Sequence, residues 1–127
     1  MNELLKVLLV EDDEGIRQVL SDSLADEGWI VRQAADGQEA LDLLASWRPD
    51  VILLDLMMPR MDGWAFRAAQ RTLARGMDLP LVILSANHQA EASAATLGAA
   101  AFIAKPFNID QLVATIGAVT RPGPRSS

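Results

Sequence analysis

Val7-Leu8-Leu9-Val10-Glu11-Asp12-Asp13 runs four apolar residues directly into three acids. The run is strand-length, and it does not alternate as a strand with one wet face would. Continuous apolarity reads as a strand covered on both faces, the habit of a parallel sheet. Residues 51–54, 81–84 and 101–104 repeat the pattern, and a weaker run spans 29–34. Helical signals fill the gaps. Ile16, Val19, Leu20 and Leu24 recur at helical spacing, and Gly28 ends that run. Asp36 stands three before Glu39, as in a capping box, and Leu41, Leu44 and Trp47 follow before Pro49 stops the helix. Phe66, Ala69 and Leu73 mark a third helix ending near Gly76. Residues 89–97 are alanine-rich and only weakly amphipathic, and they are read as a fourth. Asn108 is placed to cap a fifth, lined by Leu112, Val113, Ile116 and Val119.

Strand then helix, five times over, predicts parallel strands joined by right-handed crossovers, an open α/β sandwich with helices on both faces. One domain is expected over residues 1–120. Residues 121–127, Arg-Pro-Gly-Pro-Arg-Ser-Ser, break all periodicity and read as a flexible tail.

Composition narrows the chemistry. The 127 residues are half hydrophobic and carry a formal charge of −6. The acids are unevenly spread: residues 1–62 hold 14 acids and 5 bases, and residues 63–127 hold 3 acids and 6 bases. This balance argues against a nucleic-acid surface on the domain. The absence of cysteine removes disulfide scaffolds, thiolate zinc sites and cysteine nucleophiles. The single histidine, His88, cannot build a multi-histidine metal site and is read as a loop residue. No apolar run approaches the ~20 residues of a membrane helix, and the start lacks the pattern of a signal peptide. A soluble, cytoplasmic protein is expected.

Open parallel sheets bind ligands beyond the carboxyl ends of their strands. Those ends carry Glu11-Asp12-Asp13, Asp55, Ser85 and Lys105. Gathered carboxylates repel one another in a partly dry crevice. A hard divalent cation relieves that repulsion, and Mg²⁺ prefers carboxylate plus water to an all-protein cage. A carboxylate can also accept a phosphoryl group, while lysine and serine supply a charge and a hydroxyl to its oxygens. The set suits phosphorylation of one aspartate. Asp13 and Glu14 read more simply as complements to a helix dipole, and Asp62-Gly63 as a turn and helix start.

Val10-Glu11-Asp12-Asp13, Asp55-Leu-Met-Met-Pro-Arg-Met-Asp62-Gly63, Ser85-Ala86 and Lys105-Pro106-Phe107 together resemble the receiver domain of bacterial two-component response regulators, over about residues 5–120. The resemblance implies a five-stranded sheet of order 2-1-3-4-5. It implies that Asp55 is the phosphoacceptor and that Mg²⁺ is held by Asp12, by Glu11 largely through water, by Asp55 and by the Met57 backbone carbonyl. Lys105 would pair with Asp55 and then with the phosphoryl group. Ser85 would swing toward that group, and Phe102 would be the rotating aromatic of the output face. A cis Lys105–Pro106 peptide is implied as well. The implied partners are a histidine kinase or histidine phosphotransfer protein, and a downstream protein on the face of helix 4, strand 5 and helix 5. The domain would promote only its own phosphoryl transfer and dephosphorylation, without being a dedicated enzyme.

Two departures from the family pattern stand out. Met57 and Asn87 occupy the positions two beyond the phosphoacceptor and the switch hydroxyl. Methionine cannot orient an attacking water by strong hydrogen bonds, so slow self-dephosphorylation is expected. The stretch Gly98-Ala-Ala-Ala-Phe102 and the last helix carry almost no charge. That points away from a charged dimer seam and toward packing on a partner helix or domain. An aspartate-nucleophile phosphohydrolase would need a second acid where Met57 stands. A nucleotide-binding module would need a phosphate-cradling loop where Glu11-Asp12-Asp13 stands. A receiver fragment of a longer regulator with an output domain is a further alternative.

Overall fold

The computed structural model describes residues 4–55, 63–73, 79–85, 95 and 98–120. Five parallel strands, β1 (Lys6–Val10), β2 (Ile30–Ala34), β3 (Val51–Asp55), β4 (Leu81–Ser85) and β5 (Ala101–Ala104), form one sheet of order β2-β1-β3-β4-β5. Four described helices connect or follow them: α1 (Glu14–Ala25), α2 (Gly37–Leu44), α3 (Gly63–Leu73) and α4 (Ile109–Thr120). The α4 helix is the fifth helix read from the sequence. Of the expected helix at 89–97 only Ala95 is described, and it is helical. His88, the 121–127 tail and the expected third-helix end near Gly76 lie outside the described residues.

Three of the four continuous apolar runs became buried strands because both sheet faces are covered; β5, at one edge of the sheet, buries only Ile103. Successive side chains point to opposite faces. On one face Val7, Leu9, Leu53, Val82, Leu84 and Ile103 pack under Leu20 and Leu24 of α1 and Leu112 and Ile116 of α4. On the other Leu8, Val10, Ile52, Leu54, Leu81 and Ile83 pack under Ala40 of α2 and Phe66 of α3. Each fully buried aliphatic side chain contributes roughly 1.5–3 kcal/mol relative to exposure. The weaker run at 29–34 has its reason in the topology: β2 is an edge strand, and only Ala34 of its five residues is buried.

The helix ends follow local chemistry. Asp13 caps α1, its Oδ1 accepting from Ile16 N at 2.9 Å. Gly28 closes the exit at φ +88°. Asp36 caps α2 through Glu39 N, but Glu39 reaches back to Ala35 N, one residue beyond the reciprocal capping-box partner. Asn108 caps α4 through Gln111 N. Two readings need correction. The α2 helix ends at Leu44, well before Pro49, and Trp47 packs on the core from beyond it. Ile16 and Val19 of α1 share helical spacing with Leu20 and Leu24 yet stay 45% and 61% exposed. Only Leu20 and Leu24 among these four reach the sheet.

Arg67 of α3 was legible only as a charge. Its guanidinium is buried and donates to Gln70 Oε1, to the Leu79 carbonyl ahead of β4, and to the Gly98 carbonyl ahead of β5. It ties a helix to the approaches of two strands.

Candidate functional site at the carboxyl edge of the sheet

The strand register assembles the site. Val10 pairs with Leu54, so Glu11, one residue further, flanks Asp55 at the end of β3. The Glu11 amide extends the ladder by donating to the Ala34 carbonyl at 3.1 Å. Lys105 follows β5, and its amide donates to the Ser85 carbonyl at 3.0 Å. From there its side chain crosses behind β4, and Nζ lies 3.0 Å from Asp55 Oδ2. The Lys105–Pro106 peptide is cis.

Carboxylate oxygens of Glu11, Asp12 and Asp55 lie within 4.8 Å of one another. Glu11 and Asp55 are buried, and Asp12 is exposed. With Lys105 the formal charge of the group is −2. Burial, first, and the adjoining Asp55 carboxyl, second, push the Glu11 pKa up to about 7. The Asp13 amide and Lys105 oppose that rise. Glu11 Oε2 accepts from the Asp13 amide at 3.1 Å, while Oε1 is buried with no hydrogen-bond partner among the described residues.

These donors fit a magnesium ion. They are hard carboxylate oxygens, the local charge calls for a divalent cation, and a buried oxygen lacks a partner among the described residues. The solvent-facing Asp12 leaves room for the waters that Mg²⁺ retains. Glu11, Asp12 and Asp55 could hold it. The Met57 carbonyl lies outside the described residues.

Ser85 ends β4 fully buried. In register it stands beside Ala104, and Ile83 stands beside Phe102. By the two-residue alternation Ser85 and Phe102 therefore share the α2/α3 face. Phe102 is partly buried against that face's core. The structure thus brings Glu11, Asp12, Asp55 and Lys105 together, and sets Ser85 and Phe102 diagonally on adjacent strands.

Arg17 was missed by the sequence reading. Its Nη1 donates to the Glu11 carbonyl at 2.9 Å, and its Nε to Gln33 Oε1 at 3.2 Å. A signal was available: Arg17 stands one turn after Asp13, and helical side chains lean back toward the N-terminus, here toward the acidic loop.

Comparison with known proteins agrees with this geometry. A family model described as response regulator receiver domain matches residues 7–117. The chain belongs to that family. It is 40% identical over 119 residues to response regulator MprA of Mycolicibacterium vanbaalenii, covering 92% of this chain and 51% of that protein. The MprA of Mycobacterium avium matches to the same extent. The chain therefore spans about half the length of these curated relatives. Among solved structures, chemotaxis protein CheY4 of Vibrio cholerae superposes with a TM-score of 0.83 at 36% identity, covering 92% of this chain and 99% of that one. A putative response regulator from Chloroflexus aurantiacus gives 0.84 at 28% identity, with 93% and 98% coverage. This is a receiver domain of two-component signalling, a signalling module of a family that typically binds Mg²⁺ and works with histidine kinases. Among the described residues no helix is long and apolar enough to cross a membrane.

Proposed function

We propose that Asp55 accepts a phosphoryl group and that its phosphorylation throws a conformational switch. The observation that carries this reading is the setting of Asp55. It is buried at the end of β3, within 3.0 Å of the Lys105 amine and beside two further carboxylates. An Asp55 oxygen attacks phosphorus, and the new P–O bond replaces the P–N bond of a phosphohistidine on a kinase or phosphotransfer protein. The released imidazole takes a proton from solvent. Mg²⁺, when bound, supplies charge neutralisation to the phosphoryl oxygens. Glu11, Asp12 and Asp55 would hold it, with the Met57 carbonyl as the donor that the family resemblance adds. Lys105 neutralises the incoming charge.

The new charge biases two pre-existing states of the domain. Ser85 donates its hydroxyl to the phosphoryl group, and Phe102 follows on the same face. The surface around β5 then presents a changed, largely apolar face to a downstream protein, without direct DNA contact. Met57 leaves the attacking water unoriented, so the phosphoryl group is long-lived.

Intact mass after incubation with acetyl phosphate and Mg²⁺ tests the reading. The wild type should gain about 80 Da, and Asp55→Asn should gain nothing. After donor removal the gain should decay slowly, and faster in Met57→Asn. A chain that gains no mass, or gains it equally without Mg²⁺, overturns the mechanism.

A further inference from the structure

We infer that Arg17, braced by Gln33 and Ser21, is a positioning residue for the acidic loop, acting on Asp12 through the peptide bond that precedes it. The inference rests on the reading of Glu11, Asp12 and Asp55 as the Mg²⁺ site.

The loop between β1 and α1 has few means of holding its shape. The Glu11 amide is tied to β2 through the Ala34 carbonyl, and the Glu11 carboxylate takes the Asp13 amide. The Asp13 carboxylate is committed to capping α1. The Asp13 carbonyl accepts the Arg17 amide at 2.8 Å. The Glu11 carbonyl belongs to the peptide bond joining Glu11 to Asp12. Arg17 Nη1 holds it at 2.9 Å. Fixing that carbonyl fixes the peptide plane from which the exposed Asp12 projects.

The guanidinium is itself steered. Its Nε donates to Gln33 Oε1 at 3.2 Å, and Gln33 Nε2 donates to the buried Ser21 Oγ at 3.1 Å. A chain of side chains from α1 and β2 thus ends on the ligand loop. Such a chain needs the planar fork of arginine, with two donors aimed in different directions; lysine offers a point charge instead. Arg17 also brings a positive charge near a cation site. If charge alone mattered, its removal would strengthen Mg²⁺ binding. Positioning predicts the opposite sign, because loss of an outer-shell partner typically costs 10–100-fold in metal affinity.

Isothermal titration of the whole chain with MgCl₂ separates the two. Arg17→Lys keeps the charge and loses the fork; Arg17→Met loses both. Positioning expects both to weaken Mg²⁺ binding about tenfold. Gln33→Leu, which leaves the charge and the carbonyl bond, should weaken it by a smaller factor and add nothing further in combination with Arg17→Met. Thermal unfolding in EDTA confirms that each variant is folded at the titration temperature. Wild-type affinity in Arg17→Lys, or stronger binding in Arg17→Met, overturns the inference while leaving the Mg²⁺ site intact. A wild type that binds no Mg²⁺ overturns both.

Discussion

The two faces of the sheet are built alike and end differently. Each is a dry layer of aliphatic side chains under two described helices. At the carboxyl edge the α1/α4 face carries on into Glu11, Asp55 and Lys105, which follow the alternation of their strands on that side. The α2/α3 face carries on into Ser85, with Phe102 below it. In the proposed mechanism charge enters on one side and its mechanical consequence leaves on the other. One sheet can do both because neighbouring residues of a strand belong to opposite faces. Leu84 lies in one core and Ser85 points to the other, although they are adjacent in the chain.

Truncating neighbouring residues of β3 is the strongest test of this likeness. Leu53→Ala opens the α1/α4 core and Leu54→Ala the α2/α3 core, and both residues are fully buried. Each should cost about 2–5 kcal/mol in urea unfolding. A much smaller loss for one of them would mean that its layer is not the close-packed core described.

A smaller effect should be confined to the charged edge. The Glu11 pKa rises from 4.5 to about 7 on folding, so the native state favours the protonated acid. In metal-free buffer its contribution to stability is complete below about pH 4.5 and lost as the pH rises through about 7. Glu11→Gln should remove that dependence. At pH 8 in EDTA it should be more stable than the wild type by on the order of 1–3 kcal/mol. Parallel stability curves for the two proteins between pH 4 and 8 would refute the upward shift of the Glu11 pKa.

The smallest comparison sets two caps against each other. Asp13→Ala and Asp36→Ala each remove a side-chain acceptor from a helix N-terminus, and each should cost about 1 kcal/mol. The Asp13 backbone amide also donates to Glu11, so the side-chain cap that fixes Asp13 at the start of α1 fixes that donor as well. Mg²⁺ titration should therefore weaken for Asp13→Ala and stay unchanged for Asp36→Ala. Equal titrations would mean that the loop holds its shape without the cap.

Much of the molecule was legible in the chain because the signals are local. Four continuous apolar runs gave four strands, and Glu11, Asp55, Ser85 and Lys105, which follow them, are the residues the fold sets along its carboxyl edge. Asn108 and Gly28 marked helix ends through short-range hydrogen bonding and backbone conformation. Where the reading slipped, distance in sequence was the cause. Ile16 and Val19 have the period of a buried stripe, but α1 offers the sheet only the side occupied by Leu20 and Leu24. Arg67 carries no signal in the chain for its burial, because its carbonyl acceptors lie 12 and 31 residues away.

Sequence alone therefore determined the class of fold, the order of its elements and the cast of the candidate site: three carboxylates, a hydroxyl and an amine, all following apolar runs. Periodicity and strand ends depend on neighbours in the chain, so the chain displays them. Only the tertiary structure decided how that cast stands. Packing set Lys105 against Asp55 across an intervening strand, left one oxygen of Glu11 buried without a partner among the described residues, and placed Arg17 and Gln33 behind the acidic loop. Those facts turn on ångström distances between residues up to 50 positions apart, and only the assembled sheet with its helices docked brings them within reach of one another.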